Sequence, residues 1–308
     1  MKIYVNERFL NSQKVDRKFK IVNLTDIHFR GDKFSKDIKD VIGMLERIKP
    51  DMISLTGDFI DSLEYGVNYQ RELQEYFYYL ADISPTFMSF GSHDLELFLA
   101  NKSREEMKIE REKYQKEYFA FLKSISKNFY PIIPGSSERI DLGENISVMG
   151  YSYLDDEGPD MECIHADITH MKKQFDAMNI DNDRFNILLC HSPLVFFDRG
   201  KMIDDCGNFD LILSGHNHAA MIPHCLEFLP FGILGPDKSI LPRHSVGLYQ
   251  NAQGTNIDIS PGFLKVPGIV MEDLKALGAW LYWFNNLYSR EMDVININDD
   301  VKKIKKMD

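Results

Sequence analysis

Carboxylate and imidazole side chains follow a series of short apolar runs in this sequence. Asp26 and His28 come just after the run at 20–24, and Asp58 comes just after the run at 52–56. The series continues in the same way with Ser92-His93-Asp94, His191 and His216-Asn217-His218. Oxygen and imidazole donors suit Mn²⁺, Fe and Zn²⁺ better than metals that prefer thiolate. The residue types therefore indicate a site for a divalent cation.

The number of these donors exceeds what one ion with an open coordination position needs. A catalytic ion usually takes three protein ligands and leaves one position free. Two ions bridged by one carboxylate fit the count better. Such a pair, held about 3.5–4 Å apart, clamps the attacking and leaving oxygens of a displacement at phosphorus. Any one of the residues could instead cap a helix or fill a core, but that reading does not account for the whole set.

The spacing of apolar residues predicts how these donors are brought together. Residues 20–24 and Met52–Thr56 read as short buried strands, and Ser35–Ile48 between them has helical spacing. A strand–helix–strand unit implies parallel pairing with a right-handed crossover. Asp26 and Asp58 would then lie at the same carboxyl edge of a sheet. A third strand at 85–90 would deliver Ser92, His93 and Asp94 to that edge.

The remaining chain continues the alternation of helices and strands. Helices are predicted at 69–80, 95–128, 167–178 and 272–288, and strands at 138–142, Ile146–Tyr151, 187–190 and Leu211–Ser214. A closing hairpin is predicted from Gly247–Gln250 and Asn256–Ile259, and a basic end follows the last helix. We interpret 1–265 as one domain with a charged helical insertion near 95–130, which covers the sheet. Residues 266–308 would be a C-terminal helical extension packed on that domain.

Composition excludes some classes of partner. The net charge of −11 argues against a nucleic-acid-binding surface, because binding a polyanion needs a basic face. No run is long and apolar enough to span a bilayer, and the N-terminal residues lack a signal-peptide core. None of the four cysteines, Cys163, Cys190, Cys206 and Cys225, belongs to a CxxC pair, which favours a reducing compartment. The expected location is the cytoplasm.

An apolar loop at 228–234 and the helix at 272–288 offer a surface for further contacts. The loop follows the last candidate metal ligand, His218, and the helix carries Trp280 and Trp283. Packing of this helix on the core is the simpler interpretation, since amphipathic helices usually face the core. Contact with the membrane surface, with a lipid-linked substrate or with a second copy of the chain is the alternative.

The ordered blocks of the site resemble the signature of the calcineurin-like metallophosphoesterase superfamily. They are Asp26-x-His28, Gly57-Asp58, Gly91-Ser92-His93-Asp94, His191 and Gly215-His216-Asn217-His218. Five blocks in this order make the resemblance specific, and it covers roughly 20–262. The surrounding residues look most like the bacterial branch of small phosphodiesterases that includes UDP-diacylglucosamine pyrophosphatase-like proteins. The implied fold is an α/β-β/α sandwich of two mixed sheets flanked by helices.

The resemblance also implies a role for each site residue. Asp26, His28 and His218 would hold one ion, His191, His216 and Ser92 the other, and Asp58 would bridge them. A hydroxide between the metals would attack phosphorus. His93, steered by Asp94, would act at the leaving-group oxygen. The implied cofactor is two divalent ions, with Mn²⁺ expected and Fe or Zn²⁺ as alternatives.

Two departures from the family pattern bear on activity and substrate. Ser92 stands where the family usually has Asn, so we expect the second ion to be held less tightly. Ala219 and Ala220 replace glycines usual in the related bacterial branch. The leading hypothesis is hydrolysis of a phosphodiester or pyrophosphate in a small or lipid-linked substrate. The alternative is a weakly active relative that binds a phosphorylated ligand or a protein partner.

Four further histidines have no comparable setting. His165, His170, His224 and His244 are interpreted as surface or structural residues. Of these, His224 and His244 are expected nearest the site, because they flank the loop that follows His218.

Overall fold

Two six-stranded mixed sheets form the centre of the fold in a computed structural model of the chain. The structure describes residues 3–31, 35–97, 104–152, 168–198, 201–218, 244–263 and 290–299. In spatial order the first sheet contains β1 (Ile3–Leu10), β14 (Arg290–Ile297), β2 (Phe19–Leu24), β3 (Met52–Thr56), β4 (Thr86–Ser89) and β5 (Phe129–Pro131). The second contains β12 (Gly247–Gln250), β13 (Asn256–Ile259), β11 (Leu211–Ser214), β8 (Phe185–Cys190), β7 (Ile146–Tyr151) and β6 (Ile140–Leu142).

Helices cover the outer face of each sheet. The described helices are α1 (Ser35–Ile48), α2 (Leu63–Asn68), α3 (Gln70–Ile83) and α4 (Arg104–Lys123) on the first sheet, and α5 (Ile168–Ala177) on the second. A short 3-10 turn (Pro193–Phe196) and the small hairpin of β9 (Phe197–Asp198) and β10 (Lys201–Met202) also lie against the second sheet. The predicted α/β-β/α sandwich is confirmed.

Strand β2 shows how the sequence produces these layers. Val22 and Leu24 pack in the cluster that includes Val41 of α1, whereas Ile21 packs in the cluster shared with Ile187 of the second sheet. Successive side chains of a strand point to opposite faces. Because both faces are covered, the strand reads as a continuous apolar run rather than an alternating one. That run is the signal from which the strand was predicted.

Most predicted elements lie where the pattern placed them. Six have the predicted bounds: α1, β3, β7, β11, β12 and β13. The parallel pairing of β2 with β3, which joins Leu24 to Leu55, is confirmed. The hairpin of β12 and β13 is antiparallel, as predicted. The donors that follow β2, β3 and β4 therefore come out at one edge of the first sheet.

Strand β14 was not predicted, and residues 290–297 of the proposed helical extension form a strand of the first sheet instead. It lies between β1, with which it is parallel, and β2, with which it is antiparallel. Glu291 and Asp293 interrupt its apolar pattern, yet both are buried. The pattern rule expects charged residues at the surface, so it cannot detect a strand whose carboxylates are buried beside partners from other strands. The boundary proposed at residue 265 stays a prediction.

Several predicted features lie outside the described residues. They are the loop at 221–242, Ala219-Ala220, the helix at 272–288, Cys163, Cys225, His165 and His224. Across the part of the chain that is described, no helix is long and apolar enough to cross a membrane. Cys190 and Cys206 are buried free thiols.

A buried acidic pair joins the two sheets below the loops that carry the site. Asp258 of β13 and Asp293 of β14 have no exposed surface, and the charge of Asp293 acts on Asp258. Arg8 of β1 approaches both, with its Nε 3.4 Å from Asp258 Oδ1 and its Nη2 3.8 Å from Asp293 Oδ1. Burial first, and then the charge of Asp293, raise the pKa of Asp258 well above its usual value.

An Asp258→Asn variant is expected to be more stable than the parent at pH 8, by roughly 1–3 kcal/mol, because folding of the parent buries a carboxyl group that ionises more readily in the unfolded chain. The pKa of Asp258 is higher in the folded chain than in the unfolded one. The stabilisation by the protonated Asp258 carboxyl is therefore complete below the usual carboxyl pKa, and it is lost as the pH rises through the folded-state pKa. Urea unfolding between pH 4 and pH 8 should show a difference in the free energy of unfolding between variant and parent only at the higher pH. Asp183→Asn, at an exposed site, is the control, and equal pH slopes in all three proteins would contradict the prediction.

Candidate metal centre

The loops that follow the strands are joined by backbone hydrogen bonds at one edge of the sandwich. Asp26 N donates to Gly57 O at 3.1 Å, and His28 N donates to Asp58 O at 3.0 Å. Between the loops of the second sheet, Gly215 N donates to His191 O at 2.9 Å. These bonds fix the positions of the loop backbones before any metal binds.

Five of the predicted ligands have left-handed backbone conformations. The φ angles are 55° at Asp26, 49° at His28, 52° at Asp58, 67° at His216 and 45° at His218. Residues other than glycine rarely adopt this conformation, which costs of order 1–3 kcal/mol at each position. Such strain persists where the surrounding structure imposes it, and it concentrates at functional sites. Its occurrence at five ligand positions indicates that side-chain placement is maintained at a cost in stability.

The donor atoms form three groups that share members. Each group has its ligand atoms within 4.8 Å of one another. The groups are Asp26 with His28 and His218, His28 with Asp58 and His93, and Asp58 with His191 and His216. His28 and Asp58 each belong to two groups, and the middle group that contains both joins the outer two. Asp58 therefore lies where the resemblance expects a bridging carboxylate.

Donor atoms without hydrogen bonds show that the residues fit metal ions. Among the described residues, Asp26 Oδ1, His28 Nε2 and His216 Nε2 are buried and have no hydrogen-bond partner, although His218 Nε2 lies 3.3 Å from Asp26 Oδ1. Buried polar atoms are almost always paired, so three such atoms in one place call for a missing partner. Carboxylate oxygen and imidazole nitrogen are suitable ligands for a divalent transition-metal ion. The other oxygen of Asp26 accepts bonds from Thr25 Oγ1 at 2.8 Å and from His216 N at 3.0 Å, which orients Oδ1.

Groups behind the histidines orient their rings. His191 Nδ1 lies 2.8 Å from Thr56 O, which leaves Nε2 facing Asp58 Oδ2 at 3.0 Å. His28 Nδ1 lies 3.1 Å from Asp61 Oδ1. Metal-binding histidines commonly donate their second ring N–H to a carbonyl or carboxylate in this way. Asp61 was not among the predicted site residues, because its contact with His28 depends on the conformations of two loops.

Two glycines allow the loops to approach closely. A Cβ atom at Gly91 would overlap Asp58 Oδ1, and one at Gly215 would overlap Thr25 Oγ1. Any larger residue at these positions would push the loops apart. At these two positions of the motif blocks, only glycine leaves enough space for the neighbouring loop.

The electrostatic interactions among the donor residues favour ionised carboxylates. Burial would raise the pKa of Asp58, but His191, His93 and His28 lower it well below the usual value. Burial likewise opposes the ionised form of Asp26, and His218 and His191 bring its pKa below the usual value. The acids thus keep the negative charge that a cation would bind.

The pKa values of the His191 and His216 imidazoles are shifted in opposite directions. Burial would lower the pKa of His191, but Asp58 raises it to about 10. Burial, and then the neighbouring His191, lower the pKa of His216 to about 3. His216 is therefore neutral and able to donate a lone pair, while a metal ion must displace the proton of His191. This competition predicts weaker metal binding at low pH.

The sequence pattern of calcineurin-like phosphoesterases matches residues 19–220. This chain belongs to the calcineurin-like phosphoesterase family. The matched segment contains every residue of the three donor groups. The chain is therefore a member of a metal-dependent family, and its donor groups lie where the family pattern matches.

Two bacterial relatives are named as metallophosphoesterases. The chain is 25% identical to an uncharacterized metallophosphoesterase of Campylobacter jejuni, over 80% of this chain and 54% of that protein. It is 24% identical to one of Aquifex aeolicus, over 85% of this chain and 87% of that protein. The chain thus spans about half the length of the Campylobacter relative. Among solved structures, a dimetal phosphatase from Danio rerio aligns with a TM-score of 0.39 at 10% identity, over 81% of this chain and 89% of that one.

Ser92, the departure from the family motif, begins a helical turn. Its backbone oxygen accepts hydrogen bonds from Leu95 N and Glu96 N, both at 3.0 Å, and the residue is exposed. The next residue, His93, donates its N–H to Asp58 Oδ1 at 2.9 Å. The turn is thus attached to the shared carboxylate, and Ser92 lies at its solvent side.

The ring of His93 is held by Asp61 rather than by Asp94, which corrects the expected steering. His93 Nδ1 lies 3.0 Å from Asp61 O and 4.0 Å from Asp61 Oδ1. Asp94 instead accepts bonds from Gly91 N at 2.9 Å and Ile60 N at 3.0 Å. Neighbouring residues on a turn point in different directions, so the adjacency of His93 and Asp94 was a poor guide. Burial, and then Asp58, raise the pKa of Asp94 to about 6.

His244 lies beside the loop of His216 and His218, in agreement with the expectation that it is near the site. Asn217 Nδ2 donates to His244 O at 3.4 Å. The His244 ring stacks on Phe197, with centroids 4.9 Å apart, and meets Tyr249 edge-on at 4.8 Å. This packing supports a structural role for the ring.

Proposed function

We propose that this chain hydrolyses phosphoesters at a binuclear centre of divalent metal ions, and that a phosphodiester or pyrophosphate is preferred to a monoester. The observation that carries the proposal is that Asp58 shares one donor group with His28 and another with His191 and His216, next to buried donor atoms without hydrogen bonds among the described residues. Asp26, His28 and His218 would hold one ion, and His191 and His216 the other. Bound divalent ions acidify water to supply a nucleophile and neutralise charge that develops on the phosphoryl oxygens.

His93 would act at the leaving-group oxygen. Its backbone N–H is tied to Asp58 and its Nδ1 lies 3.0 Å from Asp61 O, so Nε2 would be the ring atom that faces the leaving-group oxygen. Burial would lower the pKa of His93, but the charges of Asp58 and Glu96 raise it above the usual value. The raised pKa favours the protonated ring, which would donate its proton to the departing oxygen.

Mn²⁺ is the proposed metal, because oxygen and imidazole donors suit it, and Fe or Zn²⁺ are alternatives. We also propose a place in the bacterial branch of small phosphodiesterases, with a small or lipid-linked substrate and a cytoplasmic or membrane-peripheral location. These finer assignments rest on the motif blocks alone.

A weakly active relative that binds a phosphorylated ligand is the second candidate, and the exposed Ser92 favours it. Turnover of bis-p-nitrophenyl phosphate by the purified chain, with added Mn²⁺, separates the two. Steady turnover that disappears on chelation supports the enzyme. Absence of turnover in protein that contains metal supports the binding protein.

A Ser92→Asn variant is expected to reach half-maximal activity at a lower Mn²⁺ concentration, with little change at saturating metal. Asn carries a carbonyl oxygen on a longer side chain, whereas the Ser92 hydroxyl would reach an ion most easily through a water molecule. Metal titration of activity in dialysed protein measures the shift, with Ser92→Ala as the comparison. The proposed contact of Ser92 with the second ion fails if Ser92→Asn leaves the titration unchanged or if Ser92→Ala behaves like the parent.

A further inference from the structure

Glu96 lies at the end of the turn that carries His93. Its backbone N–H closes this turn onto Ser92 O, and its carbonyl accepts a hydrogen bond from Leu63 N at 2.9 Å. The same turn is attached to the shared metal-site carboxylate through His93 N and Asp58 Oδ1. The position of Glu96 is therefore fixed relative to His93, although no motif of the sequence includes it.

Most acids around the site have their charge compensated. Asp61 accepts from Arg30 Nη2 at 2.9 Å and faces His28 at 3.1 Å. Asp26 and Asp58 face imidazoles and belong to the metal-binding groups. Asp94 accepts two backbone N–H groups.

The carboxylate of Glu96 differs from these acids. Within the described ranges, it forms no hydrogen bond or ion pair and belongs to none of the three metal-binding groups. The residue is half-buried, and its carboxylate oxygens are not among the buried atoms without partners, so water or a ligand can reach them. A carboxylate with no hydrogen bond or ion pair among the described residues is thus accessible at the rim of the site.

This charge acts on the ring of His93. After burial and the charge of Asp58, Glu96 has the largest influence on the pKa of His93, ahead of Asp61. In the reverse direction, His93 is the charge that most favours the ionised form of Glu96, while burial raises the pKa of Glu96 above its usual value. Glu96 follows His93 by three residues on one helical turn, so it lies on the side of the centre where His93 acts.

We propose that Glu96 selects substrates by the charge of the leaving group, and that the preferred substrate is a phosphodiester whose leaving alcohol is neutral or cationic. This inference rests on the proposed function, which places the leaving oxygen at His93. An anionic leaving group would be brought toward the Glu96 carboxylate, and the repulsion discriminates against it. A pyrophosphate, whose leaving group is a phosphate anion, is disfavoured for the same reason.

Aryl methyl phosphodiesters with one charge placed away from the reaction centre test this selection. Three para substituents on the leaving phenol give an anionic carboxylate, a neutral carboxamide and a cationic trimethylammonium group. The wild-type chain with Mn²⁺ should show kcat/KM in the order cationic, neutral, anionic. Glu96→Gln should raise the ratio of anionic to neutral substrate by about 10-fold, the size expected for a partly screened charge pair, and Glu96→Lys should raise it further. Glu112→Gln, at an exposed site on α4, is the matched control.

The outcomes separate this inference from the proposed function. If the wild-type chain cleaves none of the diesters with Mn²⁺, the proposed function fails. If it cleaves them but Glu96→Gln and Glu96→Lys leave the ratio unchanged, only the role of Glu96 fails. Elemental analysis of the variants should give the wild-type metal content, and loss of metal in Glu96→Gln would overturn the inference by making Glu96 a ligand.

Discussion

An Asp58→Asn variant is expected to lose stable binding of both ions and nearly all turnover. Asp58 Oδ2 lies 3.0 Å from His191 Nε2 and 3.9 Å from His28 Nε2, so one carboxylate serves the donors of both sites. Asparagine keeps the shape but removes the charge that bridges two cations. The loss should exceed the roughly 10–100-fold that removal of a supporting partner behind the ligands costs. Metal content by elemental analysis and turnover of bis-p-nitrophenyl phosphate measure the two effects.

Asp82→Asn, on the exposed surface of α3, is the control for Asp58→Asn. It makes the same chemical change away from the site and should leave metal content and turnover unchanged. The bridging role is wrong if Asp58→Asn retains two ions per chain and wild-type turnover. A loss confined to one ion would place Asp58 in a single site.

A His93→Ala variant is expected to retain the metals and to lose turnover by roughly 10²–10⁴, the usual contribution of general acid–base catalysis. His93 stands beside the ligand groups, and its ring is held by Asp61 O rather than by a ligand. The loss of turnover should be larger for an alkyl leaving group, which needs a proton, than for p-nitrophenolate, which leaves without one. Steady-state kinetics on the two kinds of diester test this difference.

Asp61→Asn distinguishes the role of His93 from that of the residues around it. The variant keeps the backbone carbonyl that faces His93 Nδ1 but weakens the carboxylate contacts to His28 and Arg30. It should therefore weaken metal binding, with a similar loss on both leaving groups. Loss of metal in His93→Ala would make His93 a ligand, which its place in the group with His28 and Asp58 allows geometrically. Wild-type turnover in His93→Ala would remove it from the mechanism.

The sequence contained enough to place the strands that deliver the site. Strands β3, β7, β8 and β11 are buried at every position, so each appears as an apolar run that ends at a polar residue. The parallel arrangement of β2 and β3 then brings Asp26 and Asp58 to one edge. Local periodicity and one topological rule suffice for this part of the fold.

Contacts between distant segments could not be predicted in the same way. β14 pairs with β1 across more than 280 residues of sequence, and its Asp293 is buried beside Arg8. The support of His28 by Asp61 depends on the conformations of two loops rather than on residue spacing. Asp94 was expected to face the neighbouring His93, but it binds the backbone of Gly91 and Ile60. Side-chain direction on a turn is set by the backbone angles, which the order of residues does not specify.

Metal content measured together with activity tests the central claim most directly. Chelated protein should be inactive, and reconstitution with Mn²⁺ followed by removal of free metal should give two ions per chain by elemental analysis. Turnover of bis-p-nitrophenyl phosphate should return in step with the second ion, because Asp58 places both donor groups around one position. A chain that hydrolyses this substrate at full rate with one ion or none would contradict the binuclear centre.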